Sequence, residues 1–294
     1  MRPDQTAKSD LKLYDYLPYD ARPAIRWPGN ARVAVFVAPN IEVYELDPPH
    51  NPNYAGWARP LPDVLYYARR DYGNRAGMDR MMDVMDKHHV RGSVSLNVAV
   101  CDHYPEIIQA CNARGWELFS HGIYNTRYLY GLDDDQQRSI IRDSQETILR
   151  QSGQRLDGWL SPSITPTEHT PHLLAEMGLL YTCDYFHDDQ PVPLNVPTGR
   201  LISMPYSFEL NDYIAFISRG MSPSAFLETV KRQFDQLYEE GAVSGTVMSI
   251  PLHPYLIGQP NRIGALDAAL AYITGHEDVW VPTARESAAP HSAH

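Results

Sequence analysis

The stretch Trp116-Glu117-Leu118-Phe119-Ser120-His121-Gly122-Ile123-Tyr124-Asn125 decides how the chain is read: an apolar run that ends in a polar cluster led by a histidine. Leu118 and Phe119 read as the end of a buried strand, with Gly115 before them as a turn. His121 then stands where the strand stops. The carboxyl ends of parallel strands open onto the catalytic face of an α/β barrel, a place suited to a metal ligand, an acid or a base. Taken alone, a histidine satisfied by local hydrogen bonds is the simpler account. The company it keeps elsewhere in the chain decides the matter.

Working outward, elements of two kinds alternate. Before the stretch, the pattern predicts a helix over 75–88, a strand over 92–97 and a helix over 103–114. After it, Asp133 and Gln136 form a capping box for a helix running to about residue 152. A strand follows at 158–160. Thr165-Pro166-Thr167-Glu168 carries a cap, a proline and a glutamate in the order that starts a helix, which ends near Gly178, and 179–183 is the next strand. Further on come a strand at 201–204, a helix from Ser222-Pro223 to Glu240, a strand at 246–250 ending in Pro251-Leu252-His253-Pro254, a helix over 261–274 and a strand at 279–281. Upstream, Ala31-Arg32-Val33-Ala34-Val35-Phe36-Val37-Ala38 is a buried strand ended by Pro39-Asn40-Ile41-Glu42. Residues 50–73 are rich in Pro, Tyr and Asn with little regular pattern, and loops of that length commonly cover a site.

Three segments follow: an arm over 1–30 that wraps the domain or an oligomer neighbour, a single domain over 31–283, and a frayed, flexible tail over 284–294. Repeated strand and helix alternation argues for a parallel barrel or a doubly wound sheet. No glycine-rich dinucleotide or phosphate-loop pattern is present, which disfavours the second. Polar residues recur just after strands instead: Asn40 and Glu42, His121 and Asn125, Asp184, and His253. That distribution suits one active face of an α/β barrel.

Composition bounds the function. With 294 residues, 43% hydrophobic and 21% charged, the chain can bury a substantial core. Its net charge of −11 disfavours a nucleic-acid partner, since phosphate binding needs a basic surface. No apolar stretch approaches a membrane span and the first residues lack a signal-peptide core, so a cytoplasmic protein without a membrane partner is expected. The three cysteines, Cys101, Cys111 and Cys183, cannot all pair and lack metal-type spacing, so they read as small buried hydrophobes.

Six short motifs occur in an order that resembles the polysaccharide deacetylase (NodB-homology) superfamily over residues 31–281. They are Pro39-Asn40-Ile41-Glu42, Ser120-His121-Gly122-Ile123-Tyr124-Asn125, Gly158-Trp159-Leu160-Ser161-Pro162, Asp188-Asp189-Gln190-Pro191, Pro205-Tyr206 with Asn211-Asp212, and Leu252-His253-Pro254 with Leu256-Ile257-Gly258. Within the superfamily the chain looks most like the allantoinase-like branch that acts on small cyclic amides. The resemblance implies a single-domain, distorted, seven-stranded (β/α) barrel, hydrolysis of a carbon–nitrogen amide bond, and a homo-oligomer, dimer or tetramer. In metal-dependent members an aspartate pair follows the first strand and two histidines four apart complete the metal site. Here the first motif holds Asn40, Glu42 and Val43 without an adjacent acidic pair, and Asn125 stands where the second histidine belongs. The third motif's arginine corresponds to Leu160, so the usual partner of the catalytic acid is missing, whereas His253 keeps the late histidine.

These departures carry a chemical expectation. A divalent ion such as zinc would have Glu42, His121 and Asn125 as ligands: one carboxylate, one imidazole and a weak amide oxygen, short of a convincing catalytic site. No cofactor is therefore expected. Amide hydrolysis then needs a base for water, stabilisation of the oxyanion and an acid for the leaving nitrogen. Glu42 is the expected base, His121 orients water or stabilises the oxyanion, and His253 is the expected acid. Asn40, Asn125, Asp184 and Asn211 are candidates for holding a compact polar ring such as an imide or hydantoin, although Asn125, Asp184 and Asn211 serve equally well as loop caps. Two other classes remain open at this point: a metal-dependent N-deacetylase of amino sugars, and a catalytically silent binding protein on the same fold.

Overall fold

The run at 31–38 becomes the longest strand of the computed structural model, which describes residues 12–48 and 61–292. This strand, β1 (Val33–Ile41), is buried along its whole length because parallel neighbours lie on both edges and helices cover the sheet. In chain order the other strands are β2 (Ser93–Leu96), β3 (Glu117–Ser120), β4 (Gly158–Trp159), β5 (Tyr181–Thr182), β6 (Val192–Pro193), β7 (Ile202–Ser203), β8 (Thr246–Leu252) and β9 (Val279–Trp280). Eight of them form one curled sheet in the order β6-β7-β5-β4-β3-β2-β1-β8, with β9 on the amino-terminal end of β1. The distorted α/β barrel is as expected; the count of seven is not. The ninth strand is a short graft beside β1, and β6 pairs antiparallel with β7 inside a Pro-rich stretch with no strand signal in its sequence.

The barrel does not close by a ladder. Across the seam between β6 and β8, Val247 N donates to Asp189 O (2.8 Å), Gln190 Nε2 to Gly245 O (3.0 Å) and Ser207 N to Ser249 Oγ (2.6 Å). The arm reinforces the seam from outside. Trp27 is buried, and its indole N–H donates to Thr246 O (2.9 Å), while Arg22 pairs with Asp188 (2.6 Å). Leu13, Arg22 and Trp27 of the arm thus pack on their own domain. Trp27→Ala is expected to cost about 3–5 kcal/mol, the range for emptying a large aromatic site, and urea denaturation of the variant measures it.

The helices are α1 (Val64–Tyr72), α2 (Met78–Lys87), α3 (Val100–His103), α4 (Pro105–Ala113), α5 (Asp134–Ser152), α6 (Thr170–Glu176), α7 (Pro223–Glu240), α8 (Ile263–Thr274) and α9 (Ala284–Ser292). The capping box of α5 is present in both directions, and Ser222 caps α7 through Ala225 N (3.2 Å). Three expectations change. The segment 50–73 is not irregular throughout: its first part, to residue 60, lies outside the described residues, but α1 occupies 64–72 and runs through a wide π turn (Gly73–Gly77) into α2. The helix signalled at Thr165 begins instead at Thr170, because Thr167 N spends itself on the Thr170 hydroxyl (2.8 Å) and Pro171 takes the first turn. The expected flexible tail is helix α9 as far as residue 292. Its Ala284, Ser287 and Ala288 are buried, and Ala284 N donates to Ser93 Oγ at the base of β2 (2.8 Å).

All three cysteines are buried and unpaired. Burial pushes the thiols of Cys101 and Cys111 up, to about 11 and about 12, which leaves them unreactive at neutral pH. No helix among the described residues is long and apolar enough to cross a membrane.

Candidate active site

Three strand ends deliver the central groups. Glu42 follows β1, His121 follows β3 and His253 follows β8, and all three are buried. Asn97, just past β2, ties two of these ends together: its carbonyl accepts from Val43 N (3.0 Å) and its amide donates to His121 O (2.6 Å). From the other side, Asn74 in the π turn donates to Glu42 O (2.9 Å).

The side chains meet in one cavity of about 350 Å³. Glu42 Oε1 lies 3.4 Å from His253 Nε2 and 3.9 Å from His121 Nε2, while Glu42 Oε2 faces Arg70 Nε at 3.3 Å. His253 Nδ1 bonds Asp212 Oδ1 (2.6 Å), and Asp212 also accepts from His253 N (3.0 Å) and Ile257 N (3.2 Å). This carboxylate therefore fixes both the ring and the loop that carries it.

The electrostatics separate the two histidines. For His253 burial opposes the charge, but Asp212 and Glu42 outweigh it and raise the imidazole to about 9, so it is an imidazolium at neutral pH. Burial dominates at His121 and lowers it below its usual 6.5 despite Glu42. The Nδ1 hydrogen of His121 is directed at Leu160 O (2.9 Å), which leaves the Nε2 lone pair facing Glu42. Burial would raise the Glu42 carboxyl; the charges of His253 and Arg70 win and hold it at about 2.

Arg70 is the residue that the sequence does not reveal. The place of the third motif's arginine is indeed taken by Leu160, which contributes only its carbonyl, but a guanidinium arrives from α1 instead. It is buried, its carbon 3.7 Å from the centre of the Tyr44 ring and 4.5 Å from that of Tyr255. Glycines make this approach possible. A Cβ on Gly73 would strike the backbone and Cβ of Tyr255, and one on Gly77 would strike the Pro254 carbonyl. Only bare backbone lets the π turn sit against the His253 loop. Asp212 was legible as part of the motif Asn211-Asp212, but not its bond to His253.

The remaining candidates divide. Asn125 lines the cavity, donating to Tyr44 Oη (3.2 Å). Asn40 also lines it, yet its amide is spent on Tyr206 Oη (2.9 Å) and Ala38 O (3.2 Å). Asn211 lines it with its side-chain oxygen capping Tyr213 N (2.9 Å). Asp184 stands apart from the cavity wall: its two oxygens accept from Ser161 N (2.6 Å) and Ser161 Oγ (2.8 Å). It is a strand-end clamp, and burial raises its carboxyl to about 6 against the pull of those bonds.

The donor set does not suit a resident divalent ion. Among the described residues no three His, Cys, Asp or Glu side chains cluster as ligands. One oxygen of Glu42 is taken by Arg70 and the other faces the His253 imidazolium, so neither oxygen of this carboxylate is free to ligate a cation. Asn125 offers only a neutral amide oxygen, and His121 alone is a strong ligand.

A buried imidazolium backed by its own carboxylate, a neutral imidazole and an anchored glutamate at the strand ends of a distorted barrel suit a hydrolase of non-peptide carbon–nitrogen bonds, and the chain is similar to polysaccharide deacetylases. Residues 65–182 match the polysaccharide deacetylase family model. The chain is 27% identical, over 94% of its length and 94% of the relative's, to a Schizosaccharomyces pombe protein assigned to the polysaccharide deacetylases. Two solved structures resemble it along nearly the whole chain. A Pseudomonas aeruginosa PAO1 protein assigned to the same group superposes with a TM-score of 0.83 at 28% identity, covering 94% of this chain and 97% of that one. Puue allantoinase gives 0.81 at 28% identity, covering 93% and 96%. The superfamily resemblance read from the six motifs is borne out.

Proposed function

We propose that the chain opens a small cyclic amide, imide or ureide by general acid–base activation of water, without a resident metal. The observation that carries this reading is the unlike pair of histidines on either side of Glu42 in one small cavity: a neutral His121 whose Nε2 faces Glu42, and a His253 imidazolium backed by Asp212. Likeness to Puue allantoinase supports the cyclic-amide side of it, and a cavity of about 350 Å³ lies at the small end of ligand sites.

Two acceptors 3.9 Å apart, Glu42 Oε1 and His121 Nε2, are spaced to receive both hydrogens of one water molecule. The water oxygen adds to the carbonyl carbon as its proton passes to His121. This shifts the base role expected of Glu42, because a carboxyl held at about 2 is a weak base, whereas a neutral imidazole has an affinity for protons closer to that required at neutral pH. Glu42 acts as the anchor that orients the water. The tetrahedral oxyanion forms beside two cations, Arg70 and His253. When the carbon–nitrogen bond breaks, His253 Nε2 gives its proton to the departing nitrogen and the ring opens to a carboxylic acid and an N–H; the new acid group returns a proton to His253 as it becomes a carboxylate, and His121 releases the proton it took to solvent.

Incubating purified protein with cyclic imides, hydantoins, ureides and acetylated chitooligosaccharides, with and without a chelator, tests the reading. Ring opening that survives exhaustive chelation is the expected result. Acetate release from the oligosaccharides that depends on added divalent ion would replace it with the N-deacetylase reading.

A further inference from the structure

Three buried polar atoms of residues on the wall of this cavity have no hydrogen-bond partner among the described residues: Arg70 Nη1, Tyr255 Oη and Asn125 Oδ1. Leaving such a group unpaired costs about 1–3 kcal/mol, so three around one cavity mark where a bound molecule makes its hydrogen bonds. Their chemistry is specific. A guanidinium N–H only donates, a phenol donates readily, and an amide oxygen only accepts. Asn125 is oriented for that part, since its amide nitrogen is already turned to Tyr44.

The acid–base steps use Arg70 only for its charge and leave the hydrogen-bonding capacity of all three atoms unspent. Arg70 reaches Glu42 through Nε and keeps Nη1 for something else; stacking on Tyr44 and Tyr255 holds the guanidinium in place meanwhile. Charge narrows what that partner is. Glu42 already balances Arg70 and Asp212 already balances His253, so the wall offers hydrogen bonds without net charge, which suits a neutral carbonyl better than a carboxylate.

Resting on the hydrolytic reading above, we propose that Arg70 and Tyr255 form a specificity subsite for a second carbonyl oxygen of the substrate, with Asn125 accepting from the ring N–H between the two carbonyls. The site thereby selects imide-type rings, in which an N–H lies between two C=O groups, over lactams, which carry one.

Succinimide and 2-pyrrolidinone, five-membered rings that differ by one carbonyl, test this. Succinimide is followed as substrate and 2-pyrrolidinone as competitive inhibitor, in the parent, Tyr255→Phe and Arg70→Lys. The lost hydrogen bond should raise KM for succinimide about tenfold or more in each variant, while Ki for 2-pyrrolidinone stays nearly unchanged. Tyr255→Phe deletes a hydroxyl that has no partner to lose, so its Tm should hold or rise; a KM change without a Tm loss is what a structural role would not produce. An equal change in KM and Ki, or no change in either, overturns the subsite. If the parent opens neither ring, the hydrolytic reading fails separately, and calorimetry decides the subsite: succinimide binding weakened by Tyr255→Phe supports it, and absence of succinimide binding overturns it.

Discussion

Glu42→Gln is expected to lower kcat for ring opening by about a hundredfold to ten-thousandfold, the range for disabling general acid–base catalysis, because Glu42 positions the water for His121 and holds the charge on His253. Gln keeps the shape but removes the charge that holds a water against His121 and that keeps His253 protonated. Both losses fall on the chemical step, so kcat should drop more than KM rises. The depressed carboxyl also has a stability consequence of defined sign. Its contribution is present above the unfolded value near 4.5 and is lost as pH falls through about 2. The neutral variant lacks that contribution at neutral pH and leaves Arg70 buried without its counter-charge, so a melting curve should accompany the kinetics. A folded Glu42→Gln protein as active as its parent would remove Glu42 from the mechanism.

His253→Gln should be of similar severity, and worst for substrates whose nitrogen departs poorly, because the variant has no proton to give. The parent predicts its own control. With the imidazole raised to about 9, kcat should hold below that pH and fall above it, and this alkaline limb should be absent in the variant. Stability follows the same group: the contribution of His253 is complete below its unfolded value near 6.5 and is lost as pH rises through about 9. An acid limb, where His121 takes up a proton, is expected below 6.5. A parent profile flat through pH 10 would exclude His253 as the acid.

What could be read from the sequence follows from how far each signal travels along the chain. Strand ends are local: a contiguous apolar run such as 31–38 or 246–250 and the polar residue after it announce β1, β8, Glu42 and His253 without knowledge of the rest. Arg70 is not local. Its helix carries three charges and four tyrosine or leucine side chains in eight positions after Val64 and continues through a π turn shaped by contact with Tyr255 and Pro254, which no window around residue 70 contains. The strand-end rule also over-reads. Asp184 follows β5 as His121 follows β3, yet it turns back onto Ser161, since a short carboxylate near free backbone N–H groups is bound by them first. The tail misled for the opposite reason: its small residues, Ala284 and Ala288, suggest weakness in isolation but are what fits against the barrel base.

The bare-backbone joint between the π turn and the loop after β8 has a further consequence. Gly77 and Gly258 also touch each other without a cushion of side chain, and Arg80 clasps Gly258 O (2.9 Å). The guanidinium that anchors Glu42 and the imidazolium proposed as the acid are therefore mounted on one joined backbone, although they come from opposite ends of the chain. Neither charge can be re-aimed without moving the other, so substrate arrives at a field that is already set, and little energy is spent on reorganising it during the reaction.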